Sequence, residues 1–516
     1  MRSRQYVTTA IDYPNAPKPH MGQVLEKVLA DTVVRWFRLR GDEVRFQIGT
    51  DEHGVKIQRT AEKEKLTPKE LVDRNVPAYI ELYRRIGISY DEPDGFIRTT
   101  DQKRHWPTVV ELWKRLQKAG MLERRTYTGL YCQGCERFLT KRDIVDGKCP
   151  IHNSVPEEVS EDNWFFLLSK ESKWLKELLT REGKDGYKII PGSRAHETLS
   201  LIEQGLEDVS FSRPKSSLSW GIPVPDDPDQ TMYVWCDALT NYISGLGYFT
   251  KNENRKFWDD AEVTHVIGKD IARFHALIWP AMLKHAGVRT PDRLLIHGFL
   301  TNEGQKMSKT IGNVVDPETV LKRFGENPDP LRFYLSHEIP VGNDGDFSWK
   351  RIEELYDSKL RNQLGNLLNR VLVLLKKEGD FSVPSSAEDA KRAGDGWKKF
   401  SNSMDAFELH LGIQQAMELV DSLNIGIDRM KPWTLKGKEK VDVLSRFAES
   451  LRHSALLLLP FMPKTAQEIS RQLNVPYAEK MLERDFVITP ELREWGSQKD
   501  WKTVGEPKIL FPPLEK

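Results

Sequence analysis

The sequence predicts an α/β protein: a parallel sheet with a site at its strand ends, a module inserted into that sheet domain, and a helical tail. Three observations predict it. The first fifty or so residues read strand, loop, helix, strand, then a polar loop. A short, Gly-punctuated, cysteine-bearing stretch follows residue 118, and the strand-and-helix style returns near residue 232. After about residue 351 strand signals nearly vanish and helical runs take over.

Each element has its own signal. Residues 5–11 alternate, and are β-branched enough, for a strand. Leu25, Val28, Leu29, Val33, Trp36 and Phe37 keep a helical spacing, and Gly41 closes that helix. The run EVRFQIGTDEHG is a second strand entering a loop with Asp51, Glu52 and His53. A βαβ unit implies parallel neighbours and a site at the carboxyl ends of the strands. Residues 105–122 read as helix. The stretch YTGLYCQGCERFLTKRDIVDGKCPIHNSV has a different character and reads as the inserted module. The runs MYVWCDALTNYISGLG, VTHVIGKDIARFHALIWPAMLKHAG and LLIHGFLTNEGQKMSKTIGNVVDP resume the sheet domain. Runs such as IEELYDSKLRNQLGNLLNRVLVLLKKEG and VLSRFAESLRHSALLLLPFMP predict a helix bundle, with 381–394 a loop inside it. These shifts divide the chain at 1–117, 118–230, 231–290, 291–350 and 351–516.

Composition narrows the function classes. The chain has 516 residues, 39% hydrophobic and 30% charged, as an ordinary soluble globular protein does. Its net charge of +1 gives no bulk attraction for nucleic acid, so any RNA contact must use a local patch. No long apolar run predicts a membrane span, and the opening MRSRQYVTTA lacks the apolar core of a secretory signal. Of the four cysteines, Cys132, Cys135 and Cys149 crowd together beside His152. The pattern C-x2-C-x13-C-x2-H suits tetrahedral zinc better than a disulfide framework, and points to a reducing compartment. With a full ligand set, the zinc reads as structural.

Two loops carry phosphate chemistry. In YPNAPKPHMGQ, His20 and Gly22 sit at the start of a long helix, where unpaired N–H groups and the positive dipole end favour anions. In GQKMSKTIGN, Lys306 and Lys309 flank a serine in a Gly-bounded loop, and lysine is a compact charge suited to phosphate oxygens. Taken alone, His20 could be a surface histidine and the lysines solvated.

Together, the His-x-Gly-x and Lys-Met-Ser-Lys-Thr runs resemble the two signatures of class I aminoacyl-tRNA synthetases. With GTDEHG, YVWCDAL and IGKDIARFH, nearly the whole chain resembles the methionyl-tRNA synthetase family. The resemblance implies a Rossmann-type catalytic domain, a connective-peptide insertion with a zinc knuckle, and a helical anticodon-binding bundle. It implies ATP contacts at His20, Gly22, Gln23, Gly268, Asp270, His297, Gly298, Lys306 and Lys309, with His20, Lys306 and Lys309 catalytic and Mg²⁺ on the phosphates. It implies a methionine pocket of Ala10, Ile11, Tyr13, Trp235, Ala238, Tyr242, Ile271, Phe274 and His275, with Tyr13 or His275 donating to the sulfur. Asp51 would take the substrate ammonium and Arg213 its carboxylate. Asn366, Arg370 and Trp433 would read the CAU anticodon of tRNA(Met). The chain is expected to be a cytoplasmic monomer, since no appended dimerising domain follows ILFPPLEK. Gln23 departs from the family's second signature histidine. Its amide can donate but carries no proton charge, so a working enzyme with slower adenylation is expected. Rival readings are another class I synthetase, a tRNA-binding paralogue without activity, and a free zinc-binding interaction module.

Overall fold

The computed structural model describes residues 3–132, 137–139, 143–150, 153–183, 185–250, 253–306, 313–499 and 501–515. Its first strands are β1 (Arg4–Thr9), β2 (Glu43–Thr50) and β3 (Phe96–Arg98), and its first helices are α1 (Met21–Arg40), α2 (Val55–Glu64) and α3 (Pro68–Ile86). A six-stranded sheet runs β3, β2, β1, Glu262–Gly268, Arg293–His297, Lys188–Ile190, with every neighbouring pair parallel. The order of building reverses at β1. Earlier strands extend to one side and later ones to the other, which opens a crevice at the strand ends between β1 and Glu262–Gly268.

α1 begins at Met21, four residues before the apolar spacing that predicts it, because a capping box closes its first turn. The His20 Nδ1 accepts from the Gln23 amide at 3.3 Å, and the Gln23 Oε1 accepts from the His20 amide at 2.9 Å. Gly41 ends the helix at φ 97°, a left-handed conformation that favours glycine. Successive β1 residues face opposite sides of the sheet, so Tyr6 and Val7 enter different cores. Val7 packs with α1 in a core that continues unbroken to Leu367 and Leu451 in the tail. Tyr6 packs with Trp113, Trp258 and Trp279.

The segment 118–230 builds an antiparallel sheet of Arg137–Leu139, Leu122–Cys132, Glu157–Phe166 and Val209–Ser210. It does not stand wholly outside the parallel sheet. Lys188–Ile190 forms that sheet's edge, with Ile189 opposite Leu294. Three residues are too short for a periodic signal, and the pairing partner lies a hundred residues on. The strand Arg293–His297, in the segment 291–350, likewise belongs to the parallel sheet.

In the tail, helices Ala387–Asp405, Leu409–Met430, Gly437–Leu458 and Pro463–Gln472 pack each against the next. The expected loop over 381–394 is half wrong, since a helix starts at Ala387. Ser386 caps it by accepting from the Asp389 amide at 3.1 Å, and Glu388 and Asp389 favour its positive end. Among the described residues, no helix is long and apolar enough to cross a membrane.

Candidate active site

The loop after β1 lies in the crevice and is held on both sides. The Ala10 amide donates to Val266 O at 3.2 Å, and the Asp12 amide to Gly49 O at 2.9 Å. The buried Asp51, at the end of β2, donates its own amide to Asp12 O at 2.8 Å. Gly49 has to be glycine, because a Cβ there would lie 2.2 Å from Ile97 O and 3.0 Å from the Ile11 side chain. Helix α3 grips the next residues: Tyr79 donates to Tyr13 O at 3.1 Å and Asn75 to Pro14 O at 2.8 Å. Ala10, Ile11, Tyr13 and Asp51 are thus gathered at adjoining strand ends.

The capping box answers the question raised by Gln23. Its side chain holds the His20 backbone amide, so it sets the entry of α1. Because Nδ1 of His20 accepts the Gln23 amide, the ring proton sits on Nε2. Gly22 leaves room for the ring: a Cβ there would lie 3.1 Å from the His20 Nδ1.

Three of the remaining nucleotide-side candidates, Gly268, Asp270 and His297, converge at the ends of neighbouring strands. Gly268 and His297 are opposite one another in neighbouring strands. A Cβ on Gly268 would meet the Asp270 Oδ1 at 2.8 Å and the His297 ring at 3.6 Å, so all three share one space. Asp270 is exposed at its mouth. Gly298 does a different job: a Cβ would lie 2.0 Å from Asn343 O, so it admits backbone, not ligand. The Lys306 backbone pairs with Thr301 at the foot of a hairpin, Leu300–Asn302 with Gln305–Lys306. Asn302 donates to Asn313 O at 2.8 Å across the far foot of that loop. The Lys306 side chain and Lys309 lie outside the described residues. Lys18 pairs with Asp316 and Glu318 at 3.3 and 2.5 Å, which ties the His20 loop to the chain beyond the lysine loop. Those groups are partly exposed, so the tie is weak.

On the other side of β1 the expected pocket residues form one aromatic wall. Trp235 stacks on Phe274 at 3.9 Å between ring centroids and 7° between planes. Phe274 and His275 open a π-helical turn, Phe274–Ile278, a geometry often found at functional sites. Ile271 precedes it. Ala238 and Tyr242 come from the helices Val234–Leu239 and Asn241–Ser244. The expected sulfur donors are both engaged. The Tyr13 hydroxyl donates to His53 O at 2.9 Å. His275 Nδ1 donates to Ile271 O at 3.0 Å, so its Nε2 accepts from the Tyr242 hydroxyl at 2.6 Å.

His275 is therefore neutral. Burial lowers its pKa from 6.5 to about 4, against the pull of Ile271 O and Glu26. Between those values the unfolded chain binds a proton that the folded ring refuses, so stability falls as pH falls through the window. Urea midpoints should show wild type losing up to about 3 kcal/mol more than His275→Gln between about pH 7 and about 4. Equal losses would mean that the folded ring takes its proton.

Beneath the wall, the buried Asp237 lies between His53 Nδ1 at 2.6 Å and His105 Nε2 at 2.5 Å. Burial pushes its carboxyl up, but the two histidines outweigh burial and hold it at about 2. Arg213 lies on the insertion side. It is buried under the rings of Tyr131, Phe138 and Tyr233, donates to Ser210 Oγ and Ser212 O at 2.7 Å, and lines a cavity with Phe274.

Two further groups lie elsewhere. Arg370 reaches Asp428 at 2.6 Å and covers the Trp433 ring at 5.4 Å, while Asn366 lies exposed one turn earlier on the same helix. Trp433 is 48% exposed. Cys132 and Cys149 are buried together with Leu139 in a small cluster of the insertion, and Cys149 anchors its turn through Ser154 O at 2.9 Å. Cys135 and His152 lie outside the described residues, and among the described residues no group of three potential ligands converges.

The fold is that of a parallel-sheet α/β protein with an insertion and a helical tail, and comparison with known proteins specifies which. The family model for tRNA synthetases class I (M) matches residues 5–155 and 142–372. The methionine–tRNA ligase of Caldanaerobacter subterraneus is 39% identical over 529 residues, covering 100% of this chain and 80% of that protein. That of Synechocystis is 40% identical, covering 98% and 96%. A structure of Mycobacterium tuberculosis methionyl-tRNA synthetase in complex with methionyl-adenylate superposes with a TM-score of 0.88 at 32% identity, covering 99% of this chain and 100% of that one. The chain belongs to the methionine–tRNA ligase family of class I tRNA synthetases.

Sequence reading missed the buried polar residues behind the site: Asp12, Glu26, Lys27 and Tyr83, and Asp237 with His105. No local signal marked Glu26 and Lys27: they fall off the Leu25, Val28, Leu29 stripe of α1, where an amphipathic helix carries polar residues, yet both are buried.

Proposed function

We infer that this chain joins L-methionine to tRNA(Met) at the expense of ATP. The methionine carboxylate attacks the α-phosphorus, which forms methionyl-adenylate and releases pyrophosphate. A hydroxyl of the tRNA's 3′-terminal adenosine then takes the methionyl group, and AMP leaves. What supports the reading is a stacked aromatic wall and a capped helix start, both at the loop end of the parallel sheet, in a chain of this family. The chemistry needs alignment and stabilisation of charge at phosphorus more than covalent help. His20, Lys306 and Lys309 supply that stabilisation, and Mg²⁺ accompanies the phosphates.

In this reading Ala10, Ile11, Tyr13, Trp235, Ala238, Tyr242, Ile271 and Phe274 surround the methionine side chain. The thioether is selected by shape and by contact with rings, since Tyr13 and His275 spend their protons on the protein. Asp51 takes the ammonium and Arg213 the carboxylate. Gly268, Asp270 and His297 receive the adenosine. Asn366, Arg370 and the exposed Trp433 read CAU, because single-stranded bases are bound by stacking and by hydrogen bonds to their edges. One zinc ion per chain, held by Cys132, Cys135, Cys149 and His152, is structural. The burial of Cys132 and Cys149 in one small cluster supports it, and thiolates with an imidazole suit zinc. The protein acts as a cytoplasmic monomer.

Amino-acid-dependent ATP–pyrophosphate exchange over the twenty amino acids, on protein of known zinc content, tests the reading. Exchange with methionine alone is expected. Exchange with another amino acid would overturn the pocket, and none in a folded, zinc-containing protein would favour a tRNA-binding paralogue.

A further inference from the structure

Lys27 is completely buried in α1, with the buried Asp31 one turn further on. Its ammonium has three donors, and it spends them on three acceptors: Ala10 O at 2.9 Å, Asp12 Oδ1 at 3.0 Å and Glu26 Oε1 at 2.8 Å. Each acceptor is anchored in turn. Asp12 Oδ2 accepts from the Tyr83 hydroxyl at 2.6 Å. Glu26 Oε2 lies 3.4 Å from the His297 Nε2. The Ala10 amide is tied to Val266 O. A continuous chain therefore runs from α3 through the loop after β1 and the second turn of α1 to the end of the strand Arg293–His297.

Stability alone does not account for such a cluster. Desolvating three ionised groups costs about as much as their attraction returns, and a well-packed apolar residue would serve the core as well. What the cluster does is geometric. One rigid ammonium fixes the carbonyl of Ala10, on the amino-acid side, and through Glu26 faces His297, on the nucleotide side. A carbonyl and two carboxylates around one cation have a single arrangement, unlike an apolar contact.

We propose that Lys27 is a positioning residue that sets the methionine and adenosine subsites relative to each other, with Tyr83 and Asp12 acting on the methionine side only. The proposal rests on the functional reading above. Displacement of bound groups by about 1 Å can cost a hundredfold in rate. Lys27→Met, of similar length and without charge, should raise the KM for both methionine and ATP by roughly tenfold or more. Lys27→Arg should recover part of that. Tyr83→Phe, a milder change that keeps the cluster charged, should raise the methionine KM several-fold and leave that for ATP unchanged.

Steady-state exchange kinetics on folded variants, alongside deuterium uptake at the Ala10 and Asp12 amides without substrate, make the test. Uptake should be faster in Lys27→Met and in Tyr83→Phe. Folded Lys27→Met with both KM values within about twofold of wild type would overturn the proposal. So would a Tyr83→Phe that raised both equally, or unchanged uptake in both variants. A wild-type protein that exchanged with another amino acid would overturn the functional reading instead, while amide uptake would still decide the coupling.

Discussion

His20→Ala should slow methionine-dependent pyrophosphate exchange by roughly a hundred- to a thousandfold at saturating ATP, with the methionine KM little changed. That is the usual cost of removing one donor from a developing oxyanion. The capping box sharpens the expectation. With Nδ1 accepting the Gln23 amide, the ring presents its proton on Nε2 at the start of a 20-residue helix, where the dipole already favours phosphate. The same change removes an N-cap, which costs about 1 kcal/mol of stability and is read separately by thermal unfolding. His20→Asn separates the two roles. Asparagine caps helices well and keeps an amide donor, so it should restore the stability and only part of the rate. A His20→Ala protein as fast as wild type would remove His20 from the chemistry and leave it a cap.

Asp31→Ala should cost the fold roughly 3–5 kcal/mol, the range for breaking a buried ion pair from one side. Asp31 is fully buried. One carboxylate oxygen faces Arg35 and Arg332, each at 2.7 Å, and the other accepts from the Ser89 amide and hydroxyl at 2.7 and 2.6 Å. Burial works to raise its pKa, but Arg35 and Arg332 outweigh burial and keep it far below the usual carboxylate range. Arg332 is also fully buried. It carries the connection into the tail by donating to Phe461 O at 2.8 Å and Pro460 O at 3.2 Å. Without Asp31 that guanidinium is left in the core without its main counter-charge. Urea unfolding should show the full loss for Asp31→Ala and a smaller one for Asp31→Asn, which keeps the acceptor facing Ser89. A loss below about 1 kcal/mol would mean that Arg332 finds another anion.

Much of the site was legible because local chemistry writes it into short runs. The His20–Gly22 run ahead of a long helical spacing marked a helix start, the kind of place that favours anions, and the structure starts α1 there with a capping box. The βαβ pattern implied a parallel sheet with its site at the strand ends, and the loop after β1 lies there. The aromatic residues expected to line the pocket do meet, Trp235 on Phe274 and Tyr242 on His275. Gln23 looked like a defect in a signature until its partner was seen. A capping box is a local motif, yet with histidine as the cap and glutamine three residues on, the pattern resembles catalysis more than capping.

Most elements and the family were readable from the chain alone, because periodicity, caps and motifs act within a few residues. Only the tertiary structure decided which strand joins which, and so placed Lys188–Ile190 at the sheet's edge and the crevice beside β1. It alone showed that Tyr13 and His275 spend their donors on the protein, and that Lys27, Asp12, Glu26 and Tyr83 form one buried chain behind the site. The physical reason is that a buried charge must be matched by partners wherever the fold brings them, and partners 71 or 271 residues apart leave no periodic trace.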